Sequence, residues 1–183
     1  GKMGQVLIQK ISNSPDLLLT GAIDQASCPT LGMDAGTLFG IKTDVMINDD
    51  FESIIKKGNY LIDFTRPEAS MQYLEACVKN NIKYVLGTTG FSDEERKKIS
   101  LASKDIPICF APNMSVGVNL LVSLVEAATE VLQKDYDMEI IESHHSEKID
   151  APSGTALRLG EAIAKTANLN LQENGVFHRE GKM

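Results

Sequence analysis

Between Glu142 and Ala156 the chain gathers two adjacent histidines, His144 and His145, a lysine at Lys148 and the run Ser153-Gly154-Thr155. Imidazoles titrate near neutral pH, and a lysine three to four residues further on supplies a second acid in the same loop, so the segment suits proton transfer. The Ser-Gly-Thr run then opens a helix. Free N–H groups of Gly154 and Thr155, the Thr155 hydroxyl and the helix dipole suit a carboxylate there, and Lys148 suits a second carboxylate or a developing negative charge. Taken singly, Ser153 also reads as a plain helix cap and the histidines as solvated side chains. A metal centre on Glu142, His144 and His145 is a further reading. Adjacent histidines on an extended segment point to opposite sides, whereas paired helical ligands sit at i and i+4, so no metal is expected.

A second constellation lies near the amino end. Gly1 and Gly4 open a helical pattern, and Asp24 ends the strand that follows. This is the latter half of a dinucleotide fingerprint: glycines let the backbone approach a pyrophosphate, the helix N-terminus supplies partial positive charge, and an acid about 20 residues on accepts the ribose hydroxyls. Spaced glycines and a strand-end Asp are also ordinary turn formers. Gly87-Thr88-Thr89-Gly90 likewise leaves room for a flat ring and offers backbone groups to a carboxamide, or makes a tight turn.

These residues need elements to hold them. Met3, Leu7, Ile8 and Ile11 recur at helical spacing, and Asn13, Ser14 and Pro15 close that helix. Buried strands are expected at 17–23, 44–47, 60–64, 83–86, 106–110 and 139–141. Pro67 opens a helix with Met71, Leu74 and Val78 on one face, Ser92 with Glu95 forms a capping box, and Val116, Leu120, Leu124, Ala127 and Val131 mark a longer helix. Alternating strands and helices imply crossover units and a doubly wound α/β class with a mainly parallel sheet. Asp24-Gln25, Thr65-Arg66, Gly87 to Gly90, Ala111-Pro112-Asn113 and His144-His145 each follow an apolar run, at the strand ends where open α/β sheets bind ligands.

Composition bounds the function. Lys and Arg total 18 against 25 Asp and Glu, a formal net charge of -7, so neither nucleic acid nor an anionic membrane is expected as a partner. Three scattered cysteines without a CxxC fit reduced thiols in a cytoplasm. The most apolar stretch, 116–128, is broken by Asn119, Ser123 and Glu126 and falls short of the ~20 residues a spanning helix needs. No leader pattern is read at the start.

Four motifs occur in order: Asp63-Phe-Thr-Arg-Pro67, Gly87-Thr-Thr-Gly-Phe91, Ala111-Pro-Asn-Met-Ser-Val-Gly-Val-Asn119 and Glu142-x-His-His-x-x-Lys-x-Asp-Ala-Pro-Ser-Gly-Thr-Ala156. In these the chain closely resembles the 4-hydroxy-tetrahydrodipicolinate (dihydrodipicolinate) reductase family of the diaminopimelate route to lysine. The resemblance implies a Rossmann-like dinucleotide-binding domain over 1–113, a substrate-binding α+β domain over 114–183, NADH or NADPH as hydride donor, a small dicarboxylate substrate and a homotetrameric parent enzyme. Carried over residue by residue, Gly1, Lys2 and Met3 lie in the pyrophosphate loop and Asp24 at the adenosine ribose. Gly87, Thr88 and Thr89 line the nicotinamide side with Ala111, Pro112, Asn113 and Met114. His144 matches the acid/base residue, Lys148 the proton donor, His145 a substrate contact, and Gly154 with Thr155 the carboxylate cradle. Gln25 stands where phosphate-preferring members often carry Arg. With Lys2 and Arg66 the nearby cations, dual cofactor use with some preference for NADH is expected.

The first strand and first glycine of the family's loop, and the later strands of its substrate domain, have no counterpart here. The expectation is a truncated form, with a catalytically impaired dinucleotide-binding fragment as the alternative, exposing apolar surface and a bare sheet edge.

Overall fold

The structure, a computed structural model, describes residues 1–149 and 151–177, so Asp150 of the last motif lies outside the described residues. The chain divides into two compact units between Pro112 and Asn113.

The first unit runs α1 (Lys2–Ser12), β1 (Ala22–Ile23), β2 (Ile47–Asn48), α2 (Phe51–Ile55), β3 (Tyr60–Asp63), α3 (Pro67–Asn80), β4 (Lys83–Leu86), α4 (Asp93–Ala102) and β5 (Ile108–Phe110). Every strand pairing is parallel, as the alternation requires: β1 with β2, and β3-β4-β5 in that order. The register Asp63↔Leu86↔Phe110 brings three strand ends level. Local chemistry sets the helices. Pro67 occupies the first turn of α3 behind an extended Arg66, Asn81 closes that helix with φ at 55°, and the Ser92–Glu95 capping box starts α4. Leu74 and Cys77 of α3, Tyr84 and Leu86 of β4, Ile99 of α4 and Ile106 form the core. Burial pushes the Cys77 thiol up to about 12, so it packs as an inert apolar group.

Three expected strands are shorter or shifted. Only Ala22–Ile23 of 17–23 pairs, and Leu18 is 83% exposed. The strand expected at 44–47 begins at Ile47 because the Asp34 carboxylate captures the Thr43 and Asp44 N–H groups and Asp44 takes a φ of 57°. Pro107 delays β5 to Ile108. The expected single sheet is two sheets: β1 and β3 are not paired, and a cleft of about 950 Å³ lies between them, lined by α1, β1 and β3.

The second unit contains α5 (Val116–Leu132), α6 (Gly154–Thr166) and α7 (Leu171–Asn174). The strand expected at 139–141 does not form: no other strand is present in this unit among the described residues to pair with it, and Ile141 is 91% exposed. His144 and His145 therefore lie in an irregular segment and not at a strand end. Helix α5 packs on α6 through the face carrying Val122 and Thr129, and Arg158 Nη2 of α6 donates to Asn119 Oδ1 at 3.2 Å. The stripe marked by Val116, Leu120, Leu124 and Val131 is the other face, 57–84% exposed. A helix apolar nearly all round does not reveal its packed side by periodicity.

Beneath the strand ends of the first unit sits a closed polar network. Asp63, 2% exposed, accepts from Tyr84 Oη at 2.5 Å, from Ser70 Oγ at 2.6 Å and from the Thr65 N–H at 2.8 Å. Burial, then the Asp63 charge, pushes the Tyr84 phenol up. Removing one donor leaves a buried carboxylate under-satisfied, which costs ~1–3 kcal/mol. Tyr84→Phe is expected to lower the unfolding free energy obtained from urea titration by ~1–3 kcal/mol, seen as a lower midpoint at unchanged slope, while leaving the far-UV spectrum unchanged; an unshifted midpoint would show that the phenol bond contributes nothing net.

Candidate functional site

In the first unit the parallel register collects the loops. Thr65 and Arg66 follow β3, Gly87 to Gly90 follow β4, and Ala111 and Pro112 follow β5, all at the C-terminal edge of one sheet. Asp24 and Gln25 follow β1, and with Gly1, Gly4, Asp63 and Thr65 they line the 950 Å³ cleft. Tyr73 feels both strand ends: burial first, then Asp63 and Asp24, raise its phenol.

The Asp24 carboxylate is engaged on both oxygens, Oδ2 by the Gly1 ammonium at 3.0 Å and Oδ1 by the Gln25 N–H at 2.9 Å. Partial burial works upward on its pKa, but the hydrogen bonds from the ammonium and from Gln25, with the ammonium's charge, hold it below the ordinary value. Lys2 and Met3 are exposed at the start of α1, and space is open where a Cβ would stand on Gly1 and Gly4.

The Gly87–Gly90 loop is shaped from below. A Cβ on Gly87 would strike the Phe64 ring, and Gly90 has φ of 88°. Ser70 Oγ lies 2.6 Å from Asp63 and 3.0 Å from Thr88 Oγ1, its hydroxyl donating toward the carboxylate and the Thr88 oxygen standing as a second acceptor beside it. Thr88 is 2% exposed. Its side chain is committed inward, and what this turn offers a ligand is backbone and the exposed Thr89. Ser70 and Tyr84, which set this geometry, are not visible as functional residues in the sequence; a serine one turn into a helix and a tyrosine in a strand read as packing.

Asn113 and Met114 fall in the second unit. The Asn113 side chain accepts from the Ser115 N–H at 2.8 Å and its carbonyl accepts from Asn119 Nδ2 at 3.1 Å, which ties it to the start of α5.

The second unit holds the other constellation. Glu142 Oε2 lies 2.8 Å from His144 Nε2, and Oε1 accepts the Ser153 N–H at 2.9 Å. Ser153, buried, accepts the Ala156 N–H at 3.1 Å through its hydroxyl and so caps α6. Of the four N–H groups that a helix start leaves without intrahelical partners, Ser153 and Ala156 are thus satisfied. The Gly154 and Thr155 N–H groups have no partner among the described residues, and no atom stands within 4 Å of a Cβ built on Gly154. His145 Nδ1 accepts the Glu147 N–H at 3.2 Å. Among the described residues no group of three His, Cys, Asp or Glu is placed to hold a metal. Glu142, weighed in the sequence only as a metal ligand, serves instead as the partner of His144 and Ser153.

Hydrogen bonds from the Ser153 hydroxyl, from His144 and from the Ser153 N–H pull the Glu142 pKa from 4.5 down to about 2. A carboxylate depressed by folding stabilises the fold above its unfolded pKa and loses that contribution as pH falls through the folded one. Wild type is therefore expected to exceed Glu142→Gln in helical stability at neutral pH, with the gap closing between pH 4.5 and about 2. Circular dichroism melts across that range check this; a constant gap would contradict it.

Comparison with known proteins agrees with this arrangement. Family models described as dihydrodipicolinate reductase, N-terminus and C-terminus, match residues 1–114 and 117–182. The 4-hydroxy-tetrahydrodipicolinate reductase of Nitrosomonas eutropha is 49% identical over 99% of this chain and 68% of its own length. That of Paraburkholderia phymatum is 45% identical, again over 99% of this chain and 68% of its own. The structure of dipicolinate-bound dihydrodipicolinate reductase from Paenisporosarcina sp. TG-14 superposes with a TM-score of 0.71 at 29% identity, over 91% of this chain and 63% of that one. With both family models matched in order along an α/β chain, this chain belongs to the dihydrodipicolinate reductase family, oxidoreductases that use NADH or NADPH.

Proposed function

We propose that the chain carries its family's chemistry: NAD(P)H-dependent reduction of the dehydrated form of 4-hydroxy-tetrahydrodipicolinate to tetrahydrodipicolinate, in the diaminopimelate route to lysine. The observation that carries this reading is the start of α6, where two N–H groups without partners among the described residues, those of Gly154 and Thr155, stand at the end of a segment bearing His144, His145 and Lys148. Such a start binds carboxylates, and the solved family member holds dipicolinate, a dicarboxylate.

The first unit fits a dinucleotide. The open glycine start of α1 suits a pyrophosphate, Asp24 can accept ribose hydroxyls, and the Gly87–Gly90 turn with Ala111 and Pro112 offers backbone to a carboxamide. Lys2, Met3, Gln25, Arg66, Asn113 and Met114 complete the proposed cofactor set. Held by these residues, NADH or NADPH would supply the hydride for reduction at C4 of the substrate. In this reading Gly154, Thr155 and His145 hold the carboxylates, and Lys148 with His144 delivers the proton that the neighbouring carbon or its enamine takes up. The reading extends to a cytoplasmic, homotetrameric parent enzyme without nucleic-acid or membrane partners. The net charge of -7 supports the last point, as does the finding that no described helix is long and apolar enough to cross a membrane.

The chain spans 68% of the length of the curated relatives it matches; the second reading is a dinucleotide-binding chain without turnover. The decay of NAD(P)H absorbance with enzymatically generated substrate separates the two. Turnover is expected, and Lys148→Ala is expected to cut kcat by about 10²-fold or more, the scale of a positioned acid. Cofactor binding without decay would establish the second reading, and near-normal kcat in Lys148→Ala would remove that residue's role.

Cofactor choice follows from charge. The Asp24 carboxylate repels a 2′-phosphate and Gln25 offers donors without charge, while Lys2 and Arg66 are the cations of the proposed cofactor set and Lys57 lines the cleft that Asp24 borders. A charge-assisted bond is worth roughly 1.5–3 kcal/mol. Both cofactors are expected to serve, with kcat/KM favouring NADH; a strong NADPH preference would show that Lys2 or Arg66 outweighs Asp24.

A further inference from the structure

We propose that Glu142 is a positioning residue: through its two oxygens it fixes the ring proton of His144 on Nε2 and the start of α6 together, leaving Nδ1 of His144 as the nitrogen that trades protons with substrate. The inference rests on the reading of His144 as a proton-handling residue of the reductase.

The geometry supplies the argument. Oε2 lies 2.8 Å from His144 Nε2, and Oε1 is 2.9 Å from the Ser153 nitrogen. A carboxylate is an acceptor only. Its hydrogen bonds hold Glu142 far below the ordinary range, so at neutral pH it has no proton to give, and the hydrogen between Oε2 and Nε2 belongs to the imidazole. A neutral imidazole carries one ring proton, so Nδ1 bears the lone pair; in the imidazolium form Nδ1–H is the bond available to a proton acceptor. His145 differs. Its Nδ1 accepts the Glu147 N–H at 3.2 Å, so its tautomer is set by backbone and its Nε2–H is the free donor, suited to a carboxylate. Two adjacent rings thus present opposite nitrogens, one able to take or release a proton and one fixed as a donor.

The second oxygen ties this to the substrate cradle. Because Oε1 takes the Ser153 N–H, and Ser153 in turn caps Ala156, the imidazole and the Gly154–Thr155 donors are referenced to one carboxylate. No neutral side chain of that length does both. Glutamine keeps one oxygen and puts a donor-only nitrogen in the place of the other, so His144 Nε2–H and Ser153 N–H no longer each face an oxygen of their own.

The test needs no turnover. Long-range proton–nitrogen correlation spectra of the full chain with labelled histidine, taken near pH 8 and so above the ordinary imidazole range of ~6.5, report the tautomer of each ring. Wild type is expected to show His144 in the Nε2–H form alone, with that proton slowed in exchange with water. Glu142→Gln and Glu142→Ala are expected to bring in the Nδ1–H form while His145 stays unchanged. A wild-type His144 in the Nδ1–H form, or His144 unchanged in both variants, would overturn the proposal. Should a variant melt α6, the wild-type tautomer and its water exchange still decide. With substrate, Glu142→Gln is expected to lower kcat on the order of tenfold to a hundredfold at near-constant KM; a rise in KM alone would mean that Glu142 only shapes the cradle. An inactive wild-type chain would count against the reductase reading and leave the tautomer result standing.

Discussion

A carboxylate taken out of water and left to be satisfied by its neighbours is the constraint from which the first unit's geometry follows. Asp63 sits at the last position of β3, where the strand stops and its loop begins. Its desolvation is tolerable only with several donors in place, and those donors come from three different places, Tyr84 in β4, Ser70 in α3 and the Thr65 backbone, with Ser70 also bonded to Thr88 in the next loop. Each of these has its own structural duty. Tyr84 is a core residue, Ser70 lies on the buried face of α3, and the Thr65 and Thr88 loops border the edge where a cofactor is proposed to lie. The positions of two loops are consequently coupled to the position of one buried group, and neither loop can drift without breaking a hydrogen bond to charge.

The second unit uses the same device at its surface. Glu142 is ionised and engaged by Ser153 and His144, and Ser153 passes the constraint on to α6. The irregular segment before α6 has no strand ladder among the described residues to hold it. Side-chain to backbone hydrogen bonds therefore do the work that sheet pairing does in the first unit.

The sequence makes the α/β class legible, together with five of the seven described α-helices, because those signals are local, while the short α2 and α7 carry too few residues to show a period. Pro67 at a first turn, the Ser92–Glu95 box and the apolar spacing of α1 need no tertiary information. Strands depend on neighbours, and there the reading was weaker. The run 139–141 has strand composition and no strand beside it, and 17–23 pairs only where β2 reaches it. The packed face of α5 was illegible for a different reason, since apolar residues on both sides leave the choice to whichever surface α6 presents. Among the site residues, ordered motifs were enough to single out His144, Lys148 and the α6 start. The pairing of Glu142 with Ser153 spans eleven residues of irregular chain, and the convergence of Ser70, Tyr84 and Thr88 on Asp63 requires the fold itself.

A charge argument unites the α6 start with the composition. The chain carries -7, and Glu142 adds a full negative charge two hydrogen bonds away from the donors proposed to hold a dianion. At physiological ionic strength charges more than ~8 Å apart are largely screened, so the global balance matters little at contact distance. What matters is which donors remain after the protein has satisfied its own acceptors. Glu142 consumes the Ser153 N–H and one imidazole proton, and Ser153 consumes the Ala156 N–H, so the Gly154 and Thr155 N–H groups are the remainder. These donors are fixed by the backbone and lose little entropy on binding, which makes them better suited than a flexible cation to hold a planar carboxylate in one orientation. On this account the carboxylate of an acidic chain is satisfied by a neighbouring imidazole and the first residue of the helix cap, and among the described residues the next two N–H groups keep no protein partner, which is what the proposed acidic ligand requires.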